Sequence, residues 1–107
     1  MTDYDHNAID ELLHSRARLA IVAFLAGASE ADFVAIREAT KMTDGNASVH
    51  LRKLEDAGYV FIEKGFKGKY PLTICSSTSA GRHAFREYVQ KMQAWLDPRQ
   101  KTGRNRS

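Results

Sequence analysis

The stretch "TDGNASVHLRKLEDAGYV", residues 43–60, concentrates side chains suited to recognition rather than to making or breaking bonds. Asn46 carries an amide whose paired donor and acceptor match the N6 and N7 edge of adenine. Its other reading, equally weighted, is support for a helix cap at the third helical position. Ser48 and Val49 point outward in the helical phase set by Leu51 and Leu54. Val49 suits a thymine methyl, although single exposed valines are common on protein surfaces. Arg52 and Lys53 read either as phosphate clamps or as a solvated face opposite Glu55 and Asp56, and Arg52 is the better clamp. His50 stands at the boundary of the buried and exposed faces, placed to donate to a phosphate or to the protein itself. Thr43 is suited to cap this helix. A glycine in the first turn, Gly45, is not needed for packing. It permits close approach by a partner whose phosphate oxygens the free N–H groups of that end can bind.

Three more cations, Lys64, Lys67 and Lys69, fall within six residues of "EKGFKGKYPLT", residues 63–73. Lysines so grouped at a hairpin tip position a protein on a polyanion without reading its sequence. Arg82 is a weaker candidate for the same role. Four histidines (His6, His14, His50, His83) and the lone Cys75 raise the question of a metal. His83 and Glu87 are one helical turn apart and could form half a site across a dimer. No Cys-x-x-Cys or His-x-His pair supports that, and a plain surface pair is the simpler reading. Cys75 reads as a small buried strand residue. No nucleophile motif, paired strand-end carboxylates, Walker-type loop or dinucleotide glycine loop is present. The expectation is a protein that is not an enzyme and needs neither metal nor cofactor.

These side chains need a scaffold, and its elements follow from the spacing of apolar residues. Asn7 can cap a first helix, with Asp10 and Glu11 in its positive first turn. Ile9, Leu12, Leu13, Ala17, Ala20, Ile21, Phe24 and Leu25 then recur at three- and four-residue steps, and Gly27 ends the run. Ser15 offers a second cap that would split this helix, and the periodicity does not decide between the two. Asp32 caps a short helix that turns Phe33, Ile36 and Ala39 inward. Thr40–Thr43 is a tight connection with Met42 in its corner. The helix capped by Thr43 buries Ala47, Leu51 and Leu54, with Ala57 at the edge, and stops at Gly58. The period then changes: Tyr59–Lys64 and Leu72–Ser76 are rich in β-branched and aromatic residues and read as strands. "GFKGKYP" between them reads as a flexible tip. Thr78 caps a long final helix striped with Ala84, Phe85, Tyr88, Val89, Met92, Trp95 and Leu96, stopped by Asp97-Pro98.

The totals suit one soluble domain: 107 residues, 43% hydrophobic and 27% charged, with no apolar run of membrane length. Residues 1–7 read as a flexible N-terminus, 8–97 as the folded domain, and 98–107 as a basic disordered tail. Charge is divided unevenly. Residues 1–40 hold three basic and seven acidic side chains, whereas residues 41–107 hold thirteen and six. That confines the basic excess to a part of the chain able to present one face to a polyanion. One cysteine and no basic leader fit a cytoplasmic protein, nucleoid-associated when bound to DNA.

Helix, helix, tight turn, helix, hairpin, helix is the order of a helix-turn-helix with a wing. "HSRARLAIVAFLAG" (residues 14–27), "TDGNASVHLRKLEDAGYV", "EKGFKGKYPLT" and "TSAGRHAF" (residues 78–85) resemble the small winged-helix transcriptional regulators related to the MarR and ArsR groups. The likeness runs over roughly residues 8–96. It departs at Lys41, where such turns often have glycine, and at Ser77, where leucine is usual, so the second strand is expected to end loosely. The resemblance implies a mainly α fold with a small two-stranded wing, acting as a homodimeric regulator on double-stranded DNA. The recognition helix would enter the major groove and the wing would reach the backbone. Ile9, Leu12, Leu13, Phe85, Tyr88, Val89, Met92, Trp95 and Leu96 are the expected dimer interface, because the final stripe exceeds what one three-helix core can cover. A protein-binding winged helix and an ArsR-like metal-responsive regulator are the alternatives. Any effector is unknown.

Overall fold

The computed structural model describes residues 4–97 and Arg99. Four helices, α1 (Arg16–Ala28), α2 (Phe33–Thr40), α3 (Asp44–Asp56) and α4 (Ser79–Leu96), surround a sheet of β1 (Glu30–Asp32), β2 (Val60–Lys67) and β3 (Tyr70–Ser77). The sheet is antiparallel in the order β1-β3-β2. Among the described residues no helix is long and apolar enough to cross a membrane. The proposed disordered tail, apart from Arg99, lies outside the described residues, as do residues 1–3.

Each helix begins where a side-chain oxygen accepts an orphan N–H. Ser15, Asp32, Thr43 and Thr78 cap α1 to α4, accepting from Arg18, Ala35, Asn46 and Gly81 respectively. The question left open at Ser15 is therefore resolved in favour of a break. Asn7 caps nothing. Asp5 instead caps a 3₁₀ turn over His6–Ala8, and the Asp10 carboxylate accepts from the N–H groups of Leu12 and Leu13 in a local turn. Both aspartates compete successfully with helical hydrogen bonding, as short acceptors do. The chain still lays Leu13 into the core, so the apolar stripe survives without a continuous helix. Gly27 does not end α1 either; the helix passes through it and stops at Ser29, whose φ is 71°.

The core joins Leu13, Ile21, Val22 and Leu25 to Ile36, Leu51, Leu54, Val60, Cys75 and Tyr88. Ala47 is fully buried as expected, whereas Ala39 is exposed because α2 turns only Ile36 fully inward. Cys75 is fully buried, and burial pushes its thiol up to about 11. The 41–43 connection is tight because Lys41 adopts a left-handed conformation, φ 58° and ψ 41°. For a residue with a Cβ this costs about 1 kcal/mol.

Three features of the sheet differ from expectation. First, it has a third strand: Ala31 pairs with Cys75, and Asp32 with Ile74. Second, the hairpin is structured almost to its end. Strand pairing continues to Lys67 and Tyr70, and only Gly68 and Lys69 turn the chain, with Gly68 at φ 63°. A positive φ at the first turn position is what a two-residue hairpin requires, and glycine supplies it without strain. Nor does β3 end loosely at Ser77. Its N–H donates to the Ser29 carbonyl, and Arg82 donates to both its carbonyl and hydroxyl oxygens.

Candidate nucleic-acid interface

The α2–α3 corner is held by an ion pair, Arg37 Nη1 to Asp44 Oδ1 at 2.6 Å, and by the Thr43 cap. Thr43 Oγ1 accepts from the Asn46 backbone N–H at 3.2 Å. The cap is therefore made by main chain and threonine. The Asn46 amide has no hydrogen-bond partner among the described residues and faces solvent. Gly45, Ser48, Val49, Arg52 and Lys53 are likewise exposed, Val49 by 53%. A Cβ placed on Gly45 would meet nothing within 4 Å. The chain's own packing therefore does not demand glycine there, although glycine weakens a helix.

His50 is set apart from this surface. Arg18, on α1, donates from Nε to the Leu12 carbonyl at 2.7 Å and from Nη1 to His50 Nδ1 at 3.2 Å. Desolvation, then the Arg18 and Lys53 charges, hold the imidazole below its usual range. His50 thus ties α3 to α1 as a neutral acceptor. The expected donation, to a phosphate or to the protein, is replaced at Nδ1 by acceptance from Arg18.

The register of β2 and β3 sorts the wing. Ile62 opposite Cys75, Lys64 opposite Thr73 and Phe66 opposite Pro71 share the face turned toward α3. Glu63, Gly65 and Lys67 alternate onto the other face. Lys64 and Arg52 accordingly lie together in a groove of about 650 Å³ between α3 and the wing, whose floor includes Phe33, Leu51, Ile62 and Cys75. Lys67 is turned away from it, and Lys69 occupies the turn. Arg82 is engaged locally, with Ser77 and Ser79.

These features together form an exposed helix end carrying an unpartnered amide beside a lysine-bearing ribbon. A family model described as a winged helix DNA-binding domain matches residues 17–96. The chain belongs to that family. An uncharacterized protein of Methanocaldococcus jannaschii is 36% identical over 83 residues, which span 77% of this winged-helix chain and 89% of the relative. The structure of a transcriptional regulator homologue from Pyrococcus horikoshii superposes with a TM-score of 0.78 at 28% identity, covering 82% of this chain and 87% of that one. A MarR-family regulator from Silicibacter pomeroyi shares the fold at TM-score 0.56 and 18% identity, over 83% and 64% of the two chains. The winged-helix fold expected from the motifs therefore holds, and a MarR-family regulator shares it.

The expected dimer residues divide. Leu13 and Tyr88 belong to the winged-helix domain's own core, at 0% and 7% exposure. The reason is a contact the periodicity did not reveal: the N-terminal segment folds back on α4, where His14 Nδ1 and the Tyr88 hydroxyl are 2.8 Å apart. Tyr59 fastens the same segment by donating to Asp10, and with burial this pushes its hydroxyl up to about 12. Ile9, Leu12, Phe85 and Met92 pack partly against the core, and Ile9 and Trp95 line one cleft. Val89 is half-buried and Leu96 is 74% exposed. His83 and Glu87 form the expected surface pair, 3.5 Å apart. Among the described residues no cluster of three or more histidine, cysteine or acidic side chains is placed to hold a metal.

Proposed function

We propose that the protein is a sequence-specific transcriptional regulator that binds double-stranded DNA as a homodimer. The observation that carries this reading is the exposed surface at the N-terminal end of α3. Gly45, the Asn46 amide, Ser48 and Val49 are uncovered together and are not required by the fold. In a helix-turn-helix this end of the second helix meets base edges in the major groove. Asn46 reads adenine, Val49 meets a thymine methyl, and Thr43 and the nearby N–H groups take a phosphate. Arg52 and Lys64, converging on one groove, clamp the backbone; Lys69 adds a contact from the turn, and Lys53 contributes from the helix flank. The dimer joins the exposed parts of Ile9, Leu12, Phe85, Val89, Met92, Trp95 and Leu96 from two copies.

Fluorescence anisotropy of a labelled 30-base-pair mixed-sequence duplex, titrated at several salt concentrations, tests the DNA-binding claim. Affinity is expected to fall steeply with salt, and Arg52→Ala and Lys64→Ala each to lower the log–log slope by about 1. A winged helix that binds only protein would show no salt-dependent affinity for the duplex.

A further inference from the structure

The wing carries more than cations. Phe66 is 74% exposed and Tyr70 78%, matched among the large hydrophobic side chains of the described residues only by Leu96, and the two lie on either side of the Gly68-Lys69 turn. Their placement is not equivalent. Tyr70 is opposite Lys67, on the side away from α3. Phe66 is opposite Pro71, on the face that continues outward from Ile62 and Lys64. Two residues along a strand advance about 7 Å, so Phe66 lies roughly that far beyond Lys64 on the same face of the ribbon. Fold and core leave this ring without a covering partner inside the domain.

The geometry points to Phe66 as an apolar wedge that enters the DNA minor groove and partly unstacks a base step beside the site read by α3. This inference rests on the DNA-binding reading above. Charge selects the occupant: Lys64 shares the ring's face, and Lys67 and Lys69 lie close by on the other face and in the turn, which suits a polyanion with stacked apolar bases better than an apolar protein surface. The ribbon closes in a two-residue turn, Gly68-Lys69, so it is the projecting ring at the tip, not the paired strands, that would enter a groove about 6 Å wide. Phenylalanine is among the residues that proteins insert between base steps from that groove, kinking the duplex. The cheapest steps to open are pyrimidine–purine steps. The Gly65 and Gly68 positions have open space around them, leaving room for the sugar edges to close on the tip.

The test uses the full chain and a 30-base-pair duplex carrying 2-aminopurine at its TA steps, a base whose fluorescence rises when it is unstacked. Anisotropy of an end label on the same duplex reports binding independently. Wild-type protein at saturation is expected to raise the 2-aminopurine signal severalfold. Phe66→Ala should still bind, with affinity reduced about five- to tenfold, but leave that signal at its free-duplex value. Phe66→Trp should restore it. Lys69→Ala should weaken binding while preserving the signal per bound protein. Saturated binding by the wild type without a rise in 2-aminopurine fluorescence overturns the wedge and leaves the DNA-binding reading intact. Absence of any anisotropy change overturns both. A Phe66→Ala protein that sediments as a smaller species than the wild type also overturns it, by assigning the ring to a second copy of the chain.

Discussion

At the scale of single residues, the decisive contrast is between Gly45 and His50, five positions apart on one helix. Gly45 weakens α3 yet fills no steric need. Gly45→Ala is therefore expected to stabilise the folded protein by about 0.5 kcal/mol in urea denaturation while weakening duplex binding, because the added methyl stands where the backbone must approach DNA. An alanine variant that gains stability and binds normally would show that nothing approaches that turn. Asn46→Ala should leave stability unchanged, since the amide holds nothing within the described chain. It should remove about 1–3 kcal/mol of preference at one base pair, read by competition with base-substituted duplexes. His50 acts in the opposite direction, inward. Its imidazole is held below the usual histidine range, so the unfolded chain takes up the proton more readily than the folded one. The stability this provides is present above the unfolded value near 6.5 and is lost as pH falls from there through the lower folded value. His50→Gln keeps an acceptor for Arg18 but cannot titrate. Its urea midpoint should therefore fall less than that of the wild type between pH 7 and pH 5, and equal losses would remove His50 from the account.

At the scale of elements, caps and turns decided the structure, and three of the four helical caps were legible directly. Asp32, Thr43 and Thr78 stand before apolar runs of helical period, and each accepts the N–H three residues on. Thr43→Ala should accordingly cost about 1 kcal/mol in thermal or urea unfolding. The fourth, Ser15, was visible only as an alternative, because an apolar stripe has the same period whether or not the backbone is continuous through His14. The strand Glu30–Asp32 was not legible at all. Three residues without alternation carry no pattern, and their pairing depends on β3, more than forty positions away. The wing was expected to be looser than it is because glycine, lysine and proline suggest a loop, whereas pairing with a fixed register overrides composition. Gly81 shows the same limit. A Cβ there would collide with the Tyr59 backbone carbonyl, so α4 starts in direct contact with the entry to β2. No local signal announces this. Gly81→Ala should destabilise by about 2 kcal/mol, through overpacking that backbone cannot relieve, and a neutral substitution would contradict the packing described.

For the whole molecule, the sequence disclosed the polarity of charge and the candidate contact surface better than the division of apolar residues between core and interface. The α3 surface was readable because outward phase follows from Leu51 and Leu54. Leu13 and Tyr88 were misassigned to the interface because a stripe states that a residue is covered, not by which copy. Two protomers joined through the remaining α4 surface would set two recognition helices in successive major grooves, about 34 Å apart along one side of the duplex. Val89→Asp and Leu96→Asp together should yield a folded monomer by sedimentation velocity, with affinity for a two-half-site duplex falling far more than for a single half-site. Selection from a randomised duplex library near physiological ionic strength bears most directly on the central claim, since nonspecific phosphate binding is already weak there. Enrichment of an inverted repeat whose half-sites lie one helical turn apart is the predicted result. Folded protein that enriches no sequence would contradict a sequence-specific dimeric regulator.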